Sequence, residues 1–295
     1  MIFNELLEKR QKNVEEIVYK YLPKEEGMQK TVIEAMNYSI AVGGKRIRPI
    51  LMQASYVLFG GKEEIIEPFM AAIEMLHNYS LVHDDLPAMD DDEYRRGCKT
   101  THVVYGEAMG ILAGDGLLNY AFETAIKAFD FGVGSAKVGE ALKVLAHKAG
   151  IYGMIGGQTV DIESVDQMIT AEKLDFIFRL KTAALIEASM MIGAILAGAS
   201  KEQVNLIEEI ARNVGIAFQI QDDILDVIST LEVLGKPIRS DEKNNKVTYV
   251  TLKGLEQAKQ DVENMSNQAL ESLTSLALES EFLYNLIVYL IKREK

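Results

Sequence analysis

The sequence predicts an all-α protein built as a single large helical bundle, and three observations carry that expectation. Apolar residues recur at three- and four-residue spacing almost throughout the chain. Alternating apolar and polar runs bounded by turn residues, the mark of strands, are hard to find. Several predicted helices are apolar around most of their circumference, which suits the centre of a bundle. With 295 residues, 48% hydrophobic and 25% charged, the chain can bury one large core or two ordinary ones. No Ser/Pro-rich linker, composition shift or solenoid repeat divides it, so one domain over 1–295 is expected.

The elements follow in order. A first helix is expected over 2–21, where Ile2, Phe3, Leu6 and Leu7 stand among charges; this is an amphipathic helix, without the apolar core of a signal peptide. Helices over 28–41 and 46–59 are separated by Gly43-Gly44, and the second stops at Gly60-Gly61. A helix over 65–85 carries "AAIEMLHNYSLV" and ends before Pro87, which cannot donate a helical hydrogen bond and disfavours helical geometry at Leu86. Helices over 102–129 and 134–150 flank Gly132 to Gly134, and Gly156-Gly157 marks a further break. The helix over 171–199 contains the apolar stretch Ala183 to Ala199, whose Glu187 and Ser189 fit a buried helix better than a membrane span. Helices over 202–229, 255–275 and 281–293 complete the chain, and "GKPIRSDEKNN", 235–245, is expected as a mobile loop.

Charge and cysteine content narrow the function. A net charge of −13 argues against a nucleic-acid surface and against docking on anionic lipid. An anionic ligand must then meet a local basic pocket or bring metal ions. Cys98 is alone, which rules out an internal disulfide and suits a reducing cytosol.

Two acidic stripes stand out. In the helix ending near Asp85, His77, Ser80, Leu81 and Asp84 share one face, and past Pro87 the loosened chain can turn Asp90 and Asp91 toward Asp84 and Asp85. In "FQIQDDILDV", Gln219, Asp222, Asp223 and Asp226 repeat the same spacing. Carboxylates this dense repel one another unless they face bulk water or divalent cations neutralise them. Taken alone, Asp90-Asp91-Asp92-Glu93 reads as a solvated loop. An EF-hand is excluded, because Tyr94 and Arg95 fall where its ligand and glycine must stand. Oxygen-only ligands favour Mg²⁺ over zinc, and Mg²⁺ held by few carboxylates completes its shell with water and substrate phosphate. A basic set matches that ligand: "GGKRIRP" places Lys45, Arg46 and Arg48 after a glycine pair at a helix start, and "RRG" adds Arg95 and Arg96.

With these motifs the chain resembles the trans-isoprenyl diphosphate synthases, or polyprenyl synthetases, over essentially its whole length. "DDLPAMDDD" at Asp84 to Asp92 with Arg95 to Gly97, and "DDILD" at Asp222 to Asp226, are similar to the family's two aspartate-rich motifs. "GGKRIRP", "GGQTVD" at Gly156 to Asp161, "KT" at Lys181-Thr182, "FQIQDD" and "LGKP" at Leu234 to Pro237 stand in the family's order. The resemblance implies the isoprenoid synthase fold around a deep central cavity. It implies that Asp84, Asp85, Asp90, Asp222, Asp223 and Asp226 hold Mg²⁺, three ions bridging an allylic diphosphate. Arg95, Lys181 and Lys236 would bind that diphosphate, and Gly44, Lys45, Arg48, His77 and Arg96 would hold isopentenyl diphosphate. Thr182 and Gln219 would face the developing allylic cation, and the catalytic set is Asp84, Asp85, Lys181, Thr182, Gln219 and Asp222. A cytoplasmic homodimer is implied as well, with no nucleic-acid partner and no membrane insertion. Two positions depart from the family: Cys98-Lys99 where a basic residue and proline are usual, and Arg239 where the loop usually has glycine.

Tyr79, five residues before Asp84, and Ser80 resemble the bacterial farnesyl type, in which an aromatic side chain floors the pocket of the growing chain. A fifteen-carbon product is therefore expected, ahead of geranyl or geranylgeranyl diphosphate. A class I terpene cyclase would have an Asn/Ser/Glu second motif and no "GGKRIRP"; a non-catalytic partner subunit would lose acids from one motif, and both are complete here.

Overall fold

The computed structural model describes residues 3–132, 134–165, 167, 169–228 and 247–291. Helices form where the apolar periodicity places them: α1 (Phe3–Lys20), α2 (Lys30–Ala41), α3 (Ile47–Leu58) and α4 (Glu67–Asp84) come first. A two-stranded hairpin, β1 (Tyr94–Arg95) and β2 (Cys98–Lys99), is the only sheet among the described residues. Then follow α5 (Thr101–Tyr105), α6 (Glu107–Ile126), α7 (Ser135–Ala149), α8 (Met154–Glu163), α9 (Ala171–Ile177), a π-helical stretch (Phe178–Ala183), α10 (Ala184–Ala197) and α11 (Lys201–Ile228). α12 (Tyr249–Lys253), α13 (Leu255–Ser275) and α14 (Glu281–Ile291) end the chain.

The chain gathers into two compact units, Met1–Gln53 with Gly61–Leu142 and Ala54–Gly60 with Lys143–Lys295. In the first, α4 packs chiefly on α6 and also on α1 and α2. Phe69, Met70, Ile73, Met75 and Leu76 are fully buried along it, each stabilising the fold by about 1.5–3 kcal/mol relative to exposure. In the second, α11 packs on α13 and α10, and the π-helical stretch packs on α8 and α11. α10 is buried along nearly its whole length, as expected for Ala183 to Ala199. The segment Ala171–Ala197 is apolar enough to cross a membrane, yet 72% of its most apolar window is buried inside the protein.

Four details differ from expectation. Gly106, at φ 86°, divides the helix expected over 102–129 into α5 and α6. Gly156-Gly157 lies inside α8, where a break was expected. The helix expected over 171–199 contains the π-helical stretch. α12 was not anticipated; Thr248 and Thr251 start it by bonding reciprocally to each other's backbone N–H. The loop expected over 235–245 lies outside the described residues, and Lys236 and Arg239 with it.

Candidate active site

The first unit holds one acidic motif and most of the basic residues. Nearly every side chain of α4 from Pro68 onward is buried, but His77, Ser80, Leu81, His83 and Asp84 remain partly open, so the stripe from His77 to Asp84 lies on the unsealed side of the helix. Past Pro87 the chain curls back as the sequence requires. The Asp90 N–H donates to the Asp84 carbonyl at 2.9 Å, and the Asp91 N–H to the Leu86 carbonyl at 3.2 Å. Asp91 takes a left-handed φ of 52° to make this return. Asp84 and Asp90 are half-buried, whereas Asp91, Asp92 and Glu93 are exposed.

Asp85 is placed differently. It is buried and accepts a hydrogen bond of 2.6 Å from Arg95 Nε, while Arg95 Nη2 lies 3.4 Å from Asp92. Burial acts to lower the Arg95 pKa, but the bond and charge of Asp85 outweigh it and hold the pKa raised. Burial also raises the Asp85 carboxyl, and Arg95 offsets only part of that shift. The hairpin that presents Arg95 turns through Arg96 (φ 53°) and Gly97 (φ 78°), a left-handed pair that matches strand twist. The Tyr38 hydroxyl donates to the Lys99 carbonyl at 2.7 Å and Thr100 Oγ1 to the Asp92 carbonyl at 2.7 Å, which pins the hairpin at its base.

The "GGKRIRP" loop closes on the same unit. Arg96 Nη1 donates to the Gly43 carbonyl, and Gln11 Nε2 to the Gly44 carbonyl at 3.0 Å. Gly44 takes φ 149°, a conformation that L side chains rarely adopt. Lys45 is exposed, while Arg46 points inward and ion-pairs with Glu74. Removing one partner of such a buried pair costs about 3–5 kcal/mol. Burial brings the Arg48 pKa down to about 10, with Glu74 opposing and Arg96 adding to the shift. The buried Arg48 Nε donor has no acceptor among the described residues. Burial, then Arg48, Arg96, Arg95 and Arg46, push His77 well below the ordinary imidazole range. Several cations thus crowd one neutral imidazole, a charge balance that a bound anion would complete. Tyr79 is buried, meets the His83 ring edge-on at 5.9 Å, and is raised to about 12 by burial and then by Asp84. Ser80 Oγ donates to the His77 carbonyl.

The second unit holds the other motif. On α11, Asp223 and Asp226 are buried and Gln219 and Asp222 half-buried. Thr182 Oγ1 donates to Gln219 Oε1 at 2.9 Å, Gln219 Nε2 approaches Asp223 Oδ1 at 3.4 Å, and the Tyr249 N–H donates to Asp223 Oδ2 at 2.7 Å. This chain ties the start of α12 to the motif, and the Tyr249 ring stacks on Phe178. Lys181 and Thr182 lie in the π-helical stretch, where one extra residue per turn re-aims side chains. Gly157 lets α8 reach that backbone, because a Cβ there would lie 2.2 Å from the Lys181 nitrogen. One turn on, Asp161 Oδ2 accepts from Lys181 Nζ at 2.6 Å.

Among the described residues, no three acidic, histidine or cysteine groups converge as a metal cage within the structure. Sequence reasoning did not single out Glu74 or Asp161 for a role, and it counted Arg46 with Lys45 and Arg48 in the basic set offered to a phosphorylated ligand, whereas the structure turns Arg46 inward onto Glu74. Asp161 stood within "GGQTVD", and Glu74 is one acid in the apolar run "AAIEMLH", a signal that a partner had to exist.

The polyprenyl synthetase family model matches residues 29–286. The chain is 44% identical to a geranylgeranyl diphosphate synthase of Cyanophora paradoxa over 268 residues, 90% of this chain and 88% of that one. It is 42% identical to a farnesyl diphosphate synthase of Geobacillus stearothermophilus over 256 residues, 87% of this chain and 86% of that one. Its fold is similar to that of a geranyltransferase from Helicobacter pylori complexed with magnesium and isoprenyl diphosphate, with a TM-score of 0.85 and 30% identity over 99% of this chain and 97% of that one.

Proposed function

The chain belongs to the polyprenyl synthetase family, a family of trans-prenyltransferases, and we propose that it condenses isopentenyl diphosphate with dimethylallyl and then geranyl diphosphate, giving (2E,6E)-farnesyl diphosphate and diphosphate. The observation that carries this reading is the unsealed stripe of α4. It runs from His77, crowded by arginines, to Asp84, the first acid of the motif. An otherwise apolar helix exposes cation-crowded and acidic groups on one face when a phosphorylated ligand completes it.

Asp84, Asp85 and Asp90 in the first unit, and Asp222, Asp223 and Asp226 in the second, would hold three Mg²⁺ ions; the donor set is all oxygen, which fits this ion. When bound, Mg²⁺ would supply positive charge to the departing diphosphate. Arg95, Lys181 and Lys236 would bind the allylic diphosphate, and Lys45, Arg48, His77 and Arg96 the isopentenyl diphosphate, with Arg48 Nε supplying a donor in want of an acceptor. The Thr182–Gln219 pair, its amide oxygen already fixed by the threonine hydroxyl, would present oxygen dipoles to the allylic cation. The alkene of the isopentenyl group attacks that cation, and the released diphosphate takes the proton, so no nucleophilic side chain is needed. Buried Tyr79 would stop growth at fifteen carbons. The family model runs through both units, 29–286, which supports reading them as one functional domain. A cytoplasmic homodimer completes the proposal.

The test is to incubate the purified chain with Mg²⁺, isopentenyl diphosphate and either allylic starter, and to separate the products by length. A fifteen-carbon product is expected, and Tyr79→Ala should lengthen it. No condensation with either starter overturns the reading, and an unchanged length in Tyr79→Ala removes the argument for the pocket floor.

A further inference from the structure

The segment Gly43–Arg48, a loop running into the start of α3, carries a second basic residue between Lys45 and Arg48, and its side chain is buried against Glu74. Arg46 is the one non-glycine residue of this loop in the left-handed region, at φ 51°, and it follows Gly43 (φ 90°) and Gly44 (φ 149°). A non-glycine residue holds such a conformation only where its surroundings over-determine it. Its guanidinium is wholly buried. Nη1 donates to Glu74 Oε1 at 2.8 Å, and Nη2 donates to the Ile40 carbonyl at 2.7 Å and lies 3.4 Å from Glu15. Glu74 is itself 1% exposed, and Asn78 Nδ2 fixes it by donating to both its carbonyl at 2.8 Å and its Oε1 at 3.3 Å.

Glu74 sits one helical turn before His77 on α4, and Arg46 stands between Lys45 and Arg48. The single Arg46–Glu74 bond therefore couples two of the three chain segments proposed to supply the isopentenyl diphosphate site, the third being the hairpin that carries Arg96. Glu74 also opposes the lowering of Arg48 and Arg96 by burial, with Asp85 adding a smaller opposing charge at Arg96. A crowd of cations with no counter-charge would push itself apart before an anion arrives.

We propose that Arg46 and Glu74 are a positioning pair for isopentenyl diphosphate: they touch no substrate, but hold Lys45, Arg48 and His77 in register so that the diphosphate meets a preorganised cluster. This rests on the prenyltransferase reading above. The pair serves the isopentenyl side selectively, since Arg95, the allylic-side cation of this unit, is anchored separately on Asp85.

The test measures KM for isopentenyl diphosphate and for geranyl diphosphate separately, with kcat and thermal melts, in the wild type, Arg46→Lys and the double variant Arg46→Met/Glu74→Leu. Lysine keeps the charge and can reach Glu74, but it lacks the planar fork that also binds the Ile40 carbonyl. Arg46→Lys should raise KM for isopentenyl diphosphate about tenfold, with KM for geranyl diphosphate within about twofold and kcat within about threefold. The double variant removes both buried charges together, and the carboxylate it leaves without Arg46, Glu15, is part-exposed to water. It should melt like the wild type and still show the raised KM for isopentenyl diphosphate. A double variant that melts like the wild type with a wild-type KM for isopentenyl diphosphate overturns the positioning role. So does an equal rise of both KM values in Arg46→Lys, which decides alone if the double variant does not fold. A wild-type protein that forms no condensation product is a separate outcome, and it overturns the prenyltransferase reading on which the pair depends.

Discussion

The two units each hold a cation on a carboxylate, but they do so in different ways. In the first unit Arg95 rests on Asp85, which is itself an acid of the "DDLPAMDDD" motif. In the second, Lys181 rests on Asp161, which lies on α8 and outside "DDILD". The first arrangement asks one carboxylate to serve both a guanidinium and, in the proposed function, a metal ion. The second divides the work between an anchor and the motif. The mechanical support differs as well. Arg95 comes from a hairpin ten residues beyond Asp85, pinned by Tyr38 and Thr100. Lys181 comes from a π-helical stretch that Gly157 allows α8 to touch. A shared anchor couples cation placement to metal binding; a separate anchor leaves each adjustable alone.

That contrast can be broken, starting with the largest effect. Asp85→Asn should lower kcat on the order of 10²-fold or more, because it loosens Arg95 and removes a proposed metal ligand at once. Steady-state turnover with geranyl and isopentenyl diphosphates checks it. Gly157→Ala forces a Cβ to within 2.2 Å of the Lys181 nitrogen. Such overpacking should cost about 1–3 kcal/mol of stability, read as a lowered melting temperature, together with a loss of activity. Asp161→Asn removes only the anchor, so it should raise KM for the allylic diphosphate by about tenfold and leave kcat nearly intact.

The smallest effect concerns pH. His77 titrates well below its ordinary value in the folded protein, through burial and then Arg48, Arg96, Arg95 and Arg46. The unfolded chain takes up that proton below about pH 6.5, whereas the folded chain resists it. Stability from this group is therefore complete above the unfolded value and falls as pH drops toward the folded one. His77→Asn should flatten this acid limb, measured by urea unfolding at a series of pH values.

Most of the helical architecture was legible because apolar periodicity survives burial on one face, and the return of Asp90 toward Asp84 was legible in Pro87. What failed to show has definite causes. Gly156-Gly157 reads as a break, since glycine weakens helices, but here the missing Cβ is what lets α8 approach the Lys181 backbone. The π-helical stretch "FRLKTA" contains no glycine or proline to mark where the extra residue enters, so its periodicity reads as continuous helix. The Arg46–Glu74 pair joins residues 28 apart, and no local spacing rule reaches that far. Thr182 and Gln219, 37 apart, were paired only through the family resemblance, and the hydrogen bond between them now accounts for their orientation.

The contrast between a shared and a separate anchor is tested most directly by the Mg²⁺ dependence of condensation in the wild type, Asp85→Asn and Asp161→Asn, at saturating substrates. A shared anchor at Asp85 and a separate one at Asp161 predict that half-saturating Mg²⁺ moves to higher concentration in Asp85→Asn and stays at the wild-type value in Asp161→Asn. Equal shifts in both variants, or a shift confined to Asp161→Asn, would contradict it.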